Sequence, residues 1–433
     1  MIETIYSAFK ASSGVCIDTR KIQDNNFFIA LKGPNFNGND FILDALNSGC
    51  SYALTDENRT EFQNNPRIIN VSDALHCLQK LANHHRGKLK IPIIGLTGSN
   101  GKTTTKELLY TVLSTSYNCY ATKGNLNNHI GVPLSLLEIT NKHEIAIIEM
   151  GANHQKEIAH LCDIAEPNLG FITNIGLAHL EGFGSEEGIY EGKKELFDFI
   201  IARSGTLFLN LDDPKIMRAS TGYDGTTYGE SQRAIYCGKP SMKRGQLIVH
   251  WKRSDQEKEY VINSKLTGIY NFSNVMASVA VSLYFGVSHE NICTSISEYL
   301  PNNNRSQLET TKAGNTLIID CYNANPDSML AALDNLSKME TKPRIAILGD
   351  MKELGDRTAQ EHQQLVSKLI ESNKISRVYL VGTSFHNTTD HEYSVFLNTD
   401  KLEAHFQKNK LENSTILLKG SRSMKLETLL ELL

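Results

Sequence analysis

The residues with the clearest chemical content are contiguous: Gly95-Leu96-Thr97-Gly98-Ser99-Asn100-Gly101-Lys102-Thr103-Thr104. Glycines let backbone N–H groups close around phosphate oxygens, and a following helix adds the positive end of its dipole. A lysine at this spacing reaches the outer phosphates and the next hydroxyl ligates magnesium. Gly98, Ser99, Asn100, Gly101, Lys102, Thr103 and Thr104 therefore read as a phosphate cradle, with Thr103 as a metal ligand. The usual spacing places glycine five positions ahead of Gly101, where Leu96 stands, so the loop is a variant with Gly98 as the inner glycine. A ligand-free tight turn at Gly98 and Gly101 is the alternative. The Lys-Thr pair at the head of a helical pattern weighs against it.

Handling a transferred phosphoryl group calls for metal charge, and a carboxylate at the end of a neighbouring strand commonly supplies a ligand. Glu149 closes the apolar run Ile147-Ile148-Glu149 and has that position. An acid there is costly unless paired or metal-bound; an ordinary solvated glutamate is the other reading. His179 follows a second strand-like run, within residues 173–182. Taken alone, such a histidine is more often a packed or surface residue than a ligand.

These groups need elements to hold them. Residues 91–96 are an apolar run of strand length, and 102–115 carries Leu108, Leu109, Val112 and Leu113 at helical spacing. Apolar runs at 144–150, 169–175 and 206–211 alternate with helical stretches, the pattern of a mostly parallel sheet covered by helices. Residues 233–237, 246–251 and 259–266 break that rhythm and read as antiparallel strands. Ahead of residue 91, strand-like runs at 26–31, 51–54 and 67–71 precede a helical pattern at 73–84. Beyond the turn cluster Pro301-Asn302-Asn303-Asn304, five strand candidates (316–321, 344–348, 377–381, 393–397, 415–418) alternate with helix-length stretches, as in an open doubly wound domain. The expected architecture is α/β in three domains. They are a small α/β N-terminal domain (1–88), a central phosphate-loop ATPase domain with a mostly parallel sheet (89–304) and a C-terminal doubly wound, Rossmann-like domain (305–433).

Composition narrows the function classes. A chain of 433 residues suits two or three domains. Its 44 Lys and Arg against 48 Asp and Glu leave a formal net charge of -4, with no overall basic field for nucleic acid. The apolar runs fall far short of the ~20 residues that span a bilayer, and Met1-Ile2-Glu3-Thr4 lacks the layout of a signal peptide. Eight cysteines without a Cys-x-x-Cys pair exclude a dithiol or zinc motif and predict reduced thiols in the cytoplasm.

Several segments occur in a telling order. They are Thr97-Gly98-x-Asn100-Gly101-Lys102-Thr103, then Gly124-Asn125-Leu126-Asn127-Asn128 ahead of Gly131-Val132-Pro133, then Glu149-Met150-Gly151-Ala152-Asn153-His154 and His179. In this order they resemble the Mur ligases, which use ATP to join amino acids to a UDP-linked muramoyl chain and so build the peptide stem of bacterial peptidoglycan. The resemblance reaches both ends. Asp18-Thr19-Arg20 and Ala30-Leu31-x-Gly33 resemble the uridine-nucleotide module, while Arg305, Asp320 to Pro326 and Lys419-Gly420-Ser421-Arg422 resemble the C-terminal domain. Tyr322-Asn323-Ala324-Asn325-Pro326 and Leu348-Gly349-Asp350-Met351-x-Glu353-Leu354-Gly355 are similar to the member that adds D-alanyl-D-alanine to UDP-N-acetylmuramoyl-tripeptide.

What the resemblance implies is specific to residues. Lys102 matches the catalytic phosphate-loop lysine, Thr103 and Glu149 match magnesium ligands, and His179 matches a ligand of a second magnesium. A carbamylated lysine that helps hold this second metal precedes a Glu/Arg-Leu/Ile-Phe element in the family. Here Glu195-Leu196-Phe197 selects Lys193, with an exposed pair Lys193-Lys194 as the alternative. Asn274 matches an adenine-contacting asparagine, although Asn271 and Asn274 could simply cap the following helix. Arg305, Asp320 and Tyr322 match nucleotide contacts; for Asp320 a satisfied strand-end acid is the alternative. Thr19, Arg20, Asn125, Asn127, Asn128, Asn323 and Asn325 match substrate contacts. Asn37-Gly38 replaces the more usual Asp-Gly, Thr19 stands where many relatives have Ser, and His129, where an acid is usual, has no role. The implied activity is an ATP- and Mg2+-dependent amide ligase working through an acyl phosphate, without nucleic acid or a membrane span, and nothing calls for more than a monomer. The competing readings are a ligase of the same architecture adding the third residue or glutamates to folate, and a phosphate-loop switch or binding module without catalysis.

Overall fold

The computed structural model describes residues 1–340 and 343–433. Its centre is a nine-stranded sheet in the order Tyr260–Thr267, Gln246–Arg253, Tyr236–Lys243, Thr226–Gly229, Thr206–Asn210, Leu169–Ile172, Ile93–Thr97, Ile145–Glu149, Cys119–Ala121. Every residue of Ile93–Thr97 and Ile145–Glu149 is buried, as strands covered by helices on both faces require. From Tyr236–Lys243 through to Cys119–Ala121 all neighbours are parallel. The chain leaves Ile93–Thr97 toward the Cys119–Ala121 edge, returns beside it through Ile145–Glu149, and then crosses to its other side. The loop after Thr97 therefore opens where strand order reverses, the position at which such sheets bind ligands.

The irregular region at 233–266 is part of this sheet. Its strands are antiparallel to one another, as expected, but the first begins at Tyr236 and pairs in parallel with Thr226–Gly229. It extends the parallel layer rather than interrupting it. Thr226–Gly229 and Cys119–Ala121 are too short to stand out in sequence; pairing with neighbours makes them strands.

The N-terminal sheet is parallel, in the order Val15–Cys16, Phe27–Ile29, Tyr52–Thr55, Ile68–Asn70. Helix Ala74–Lys88 leaves it and packs on helices Gly131–Leu137 and Glu157–Ala165. There the Arg86 guanidinium donates to Ala165 O at 2.9 Å and Asn168 Oδ1 at 3.1 Å. One apolar core runs through both regions.

The C-terminal sheet has the order Gln307–Thr310, Thr316–Asp320, Thr415–Lys419, Arg344–Gly349, Arg377–Val381, Ser394–Phe396. Five strands fall where the sequence places them. The sixth, Gln307–Thr310, is a polar antiparallel edge paired on one side and carries no apolar signal. Among the described residues no helix is long and apolar enough to cross a membrane.

Candidate active site

The loop after Ile93–Thr97 is held open by its neighbours. Gly98 has φ +144° and Gly101 φ +80°, and a Cβ at Gly98 would collide with Thr173 Oγ1. Thr173 Oγ1 and Asn174 Nδ2 donate to Asn100 O at 2.6 and 2.9 Å, while Asn100 N donates to Asn174 Oδ1 at 3.0 Å. On the other flank Asn274 Oδ1 accepts from Thr105 Oγ1 at 3.1 Å and lies against Gly101. Lys102 Nζ folds back to Gly98 O at 2.6 Å and Ser99 O at 3.1 Å. Burial pushes the Lys102 ammonium down to about 8; Glu149 raises it, Arg305 lowers it and Glu353 raises it. Leu96 is fully buried within the strand.

Glu149 is 1% exposed. Its Oε1 accepts from Asn127 Nδ2 at 2.8 Å and Thr103 Oγ1 at 3.3 Å, and its Oε2 has no partner among the described residues. A buried carboxylate oxygen beside a loop threonine, left without a donor, suits a hard cation. Among the described residues no three His, Cys, Asp or Glu side chains form a ready-made cluster. A metal here would draw on Glu149, Thr103 and groups that the nucleotide supplies.

The lysine doublet divides sharply. Lys194 is paired with Asp198 at 2.6 Å on the surface of helix Glu186–Ala202. Lys193 is fully buried, and among the described residues its hydrogen bond goes to Ala152 O at 3.3 Å. Its Nζ lies 5.0 Å from the Phe183 ring centre. Burial first, and then the charge of Lys102, drives its pKa well below 10.5. The exposed-pair alternative fails for Lys193. The signal was present in sequence, since Ile189, Lys193, Leu196, Phe197 and Ile200 are spaced as one buried helical stripe. Glu195 accepts from Lys156 N at 2.5 Å and Ala159 N at 2.9 Å, securing the start of helix Glu157–Ala165.

The C-terminal unit closes the site. Arg305 lies over Tyr322 at 3.7 Å, and Arg422 is 5.1 Å from the same ring. Asp320 Oδ2 meets Lys419 Nζ at 2.6 Å. Across the interface Leu177 N donates to Asp327 Oδ2 at 2.7 Å, Asn325 Nδ2 to Asn100 Oδ1 at 2.8 Å, and Asn335 Nδ2 to Thr267 Oγ1 at 2.9 Å. The two units enclose a cavity of about 760 Å³. Ser99, Asn100, Gly101, Lys102, Thr103, Thr104, Asn125, Asn127, Asn128, Glu149, His179 and Asn274 face it from one side. Arg305, Asp320, Tyr322 and Asn323 face it from the other.

Family models match along almost the whole chain: Mur ligase family, catalytic domain over 12–86, Mur ligase middle domain over 96–282, and Mur ligase, glutamate ligase domain over 304–422. The chain belongs to the Mur ligase family. UDP-N-acetylmuramoyl-tripeptide--D-alanyl-D-alanine ligase of Bacillus subtilis (strain 168) is 35% identical over 428 residues, 96% of this chain and 92% of the relative. The enzyme of the same name from Escherichia coli (strain K12) is 31% identical over 427 residues, covering 95% and 92%. MurF from Acinetobacter baumannii matches with a TM-score of 0.87 at 28% identity, covering 100% of this chain and 98% of that one. MurF ligase from Thermotoga maritima in complex with ADP gives 0.86 at 27%, covering 98% and 97%.

Not every expected residue of this Mur ligase lies in the cavity wall: Gly98, Lys193, Asn325, Thr19 and Arg20 are outside it, and some that line it are already engaged. Asn325 caps helix Pro326–Lys338, with its side chain accepting from Ser328 N, and reaches the site only through Asn100. Asp320 is satisfied by Lys419, which also meets Asn323 O at 3.4 Å. Asn274 is engaged with Thr105 and with Asn271 Oδ1 at 2.9 Å. Thr19 and Arg20 are outside this cavity, and Arg20 is bound to Asp18 at 2.8 Å. Conversely, Glu353, Asp327, Lys419 and Asn174 line it without having been singled out as site residues. Glu353 and Lys419 stand in motifs noted in the sequence; Asp327 and Asn174 carry no local signal.

Proposed function

We propose that this Mur ligase joins D-alanyl-D-alanine to UDP-N-acetylmuramoyl-tripeptide with hydrolysis of ATP to ADP and phosphate, in the cytoplasm. The observation that carries this reading is the single cavity in which Lys102, Glu149 and His179 face Arg305, Tyr322 and Asp320. The eight unpaired cysteines agree with a reducing compartment. Residues 1–88 would hold the uridine nucleotide through the Thr19 and Arg20 region, 89–304 ATP, and 305–433 the dipeptide.

A terminal carboxylate is a poor electrophile, so an oxygen of it attacks the γ-phosphorus of ATP and the bond to the β-phosphate oxygen breaks, releasing ADP. The unprotonated amine of D-alanyl-D-alanine then attacks the acyl carbon. The tetrahedral species expels phosphate, and the amine proton passes to phosphate or solvent. Lys102 offsets phosphate charge and fixes geometry as anions are brought together, and Asn274 with Arg305 and Tyr322 orients the nucleotide. Asn125, Asn127, Asn128 and Asn323 offer amide contacts to the peptide substrates. Mg2+ would be held by Thr103 and Glu149 at one position and by His179 with carbamylated Lys193 at another, and supplies charge neutralisation at the transferred phosphoryl group. Lys193 suits carbamylation because burial favours the uncharged amine, the form that attacks CO2 and, after losing a proton, becomes an anionic oxygen ligand.

Purified protein is expected to release phosphate only when ATP, UDP-N-acetylmuramoyl-tripeptide and D-alanyl-D-alanine are present together. Release stimulated instead by a single amino acid or by a folate acceptor sinks the assignment. Release indifferent to any acceptor favours the switch-like alternative.

A further inference from the structure

Glu353 has no part in the mechanism above, yet its Oε2 lies 2.6 Å from Nδ1 of His179, a close pair without aligned hydrogen-bond geometry that joins the C-terminal unit to the central one. We propose that Glu353 is a positioning residue: docking of the C-terminal unit brings its carboxylate onto Nδ1–H of His179, fixing the tautomer that leaves Nε2 with a lone pair for a metal ion. The proposal rests on the reading of His179 as a metal ligand. Metal-binding histidines characteristically hand their second nitrogen to a carboxylate, which sets ring orientation and basicity.

Three further observations support it. His179 and Glu353 both have left-handed backbones, at φ +55° and +64°. Such conformations are costly for non-glycine residues and persist only where the surroundings enforce them. The enforcement at Glu353 is visible in the three residues before it. Asp350 accepts from Ser384 N at 3.0 Å and Phe385 N at 3.1 Å, Met351 N donates to His362 Nε2 at 3.0 Å, and Lys352 N donates to Ser421 Oγ at 3.0 Å. Glu353 O then accepts from Glu181 N at 3.1 Å, so backbone and side chain together grip the segment carrying His179. Of the other carboxylates of the cavity, Glu149 is read as the ligand of the first metal, and the rest are committed elsewhere: Asp320 to Lys419, Asp327 to Leu177 N, and Glu157 to His154 and Asn153 N. The second metal position is thus complete only when the C-terminal unit is docked, which ties phosphoryl transfer to closure.

The test titrates Mn2+, followed by electron paramagnetic resonance, into the full-length protein with ADP and UDP-N-acetylmuramoyl-tripeptide. Wild type is expected to bind two ions and H179A one. E353A should keep the first with unchanged affinity and bind the second 10- to 100-fold more weakly. E353Q, whose carbonyl still accepts Nδ1–H, should recover most of that loss. Should E353A not melt cooperatively, E353D, which withdraws the carboxylate by one methylene, is read in the same way. If H179A loses the second ion while the Glu353 variants bind it as wild type does, the role of Glu353 is overturned. If H179A still binds two, the metal reading of His179 falls and this inference with it.

Discussion

The two walls of the cavity are built on opposite electrostatic plans. In the central wall the scaffold is satisfied and the ligand-facing groups are not. Thr173 and Asn174 secure the loop backbone and Asn274 holds the Thr105 hydroxyl, while Glu149 Oε2 lacks a partner and, outside the cavity lining, Lys193 is a buried amine with one carbonyl. In the C-terminal wall Asp320 is paired with Lys419 within the unit and two arginines lie on the Tyr322 ring, while Glu353 reaches across to His179. A buried unsatisfied group is costly, so the central wall is poised to gain when phosphate and metal arrive. The C-terminal wall is joined to its partner by the His179–Glu353 pair and a few hydrogen bonds of about 0.5–1.5 kcal/mol each, so it can approach and leave at modest cost. One wall is preorganised for binding and the other for movement.

Substitutions can break this contrast, starting with the central wall. Lys102→Met should lower kcat/KM by ~10²–10³-fold while calorimetry shows UDP-substrate binding intact; a loss under tenfold would mean the loop is not the charge-handling wall. Lys193→Ala should cost on the order of 10²-fold in kcat, with bicarbonate or short carboxylic acids restoring part of it. Full activity without rescue removes the carbamate. On the moving wall, Asn325→Ala removes a helix cap worth about 1 kcal/mol together with the Asn100 contact, so a lower Tm and a modest rise in KM for D-alanyl-D-alanine are expected. A catalytic loss as large as that of Lys102→Met would contradict the division of labour.

Acid sensitivity should also belong to the C-terminal unit, behind its wall. Burial holds buried His362 below its ordinary 6.5, against a hydrogen bond to Thr358 O and the charge of Asp350, which both raise it. The unfolded chain takes up this proton first, so the stabilising contribution is present above pH about 6.5 and fades as pH falls below it. Differential scanning calorimetry from pH about 7.5 to about 5.5 should show Tm falling. His362→Gln should start lower and fall less; an unchanged acid slope would exonerate His362. The smallest effect is expected from Lys194→Ala, within about twofold in activity, since an exposed i,i+4 pair contributes about 0.3–0.5 kcal/mol. Larger losses would show that the doublet does not divide as described.

Much of this was legible in the chain itself. The phosphate loop, Glu149 at a strand end and the five parallel strands of the C-terminal sheet follow from contiguous residues, because backbone chemistry at a turn and strand length in an apolar run are local properties. The stripe through Lys193 was also there, in the spacing of helix Glu186–Ala202. Packing decided the rest. Lys193 and Lys194 differ by one step of a helix, about 100° of rotation, and only the core behind that helix makes one a buried amine and the other a surface ion pair. Asn325 as a cap that reaches Asn100, the Tyr236–Lys243 strand joining the parallel sheet, and Glu353 against His179 each depend on a partner far away in sequence. The chain fixed which groups were available; their charge state and partners came from burial and from the docking of two units, which no local pattern encodes.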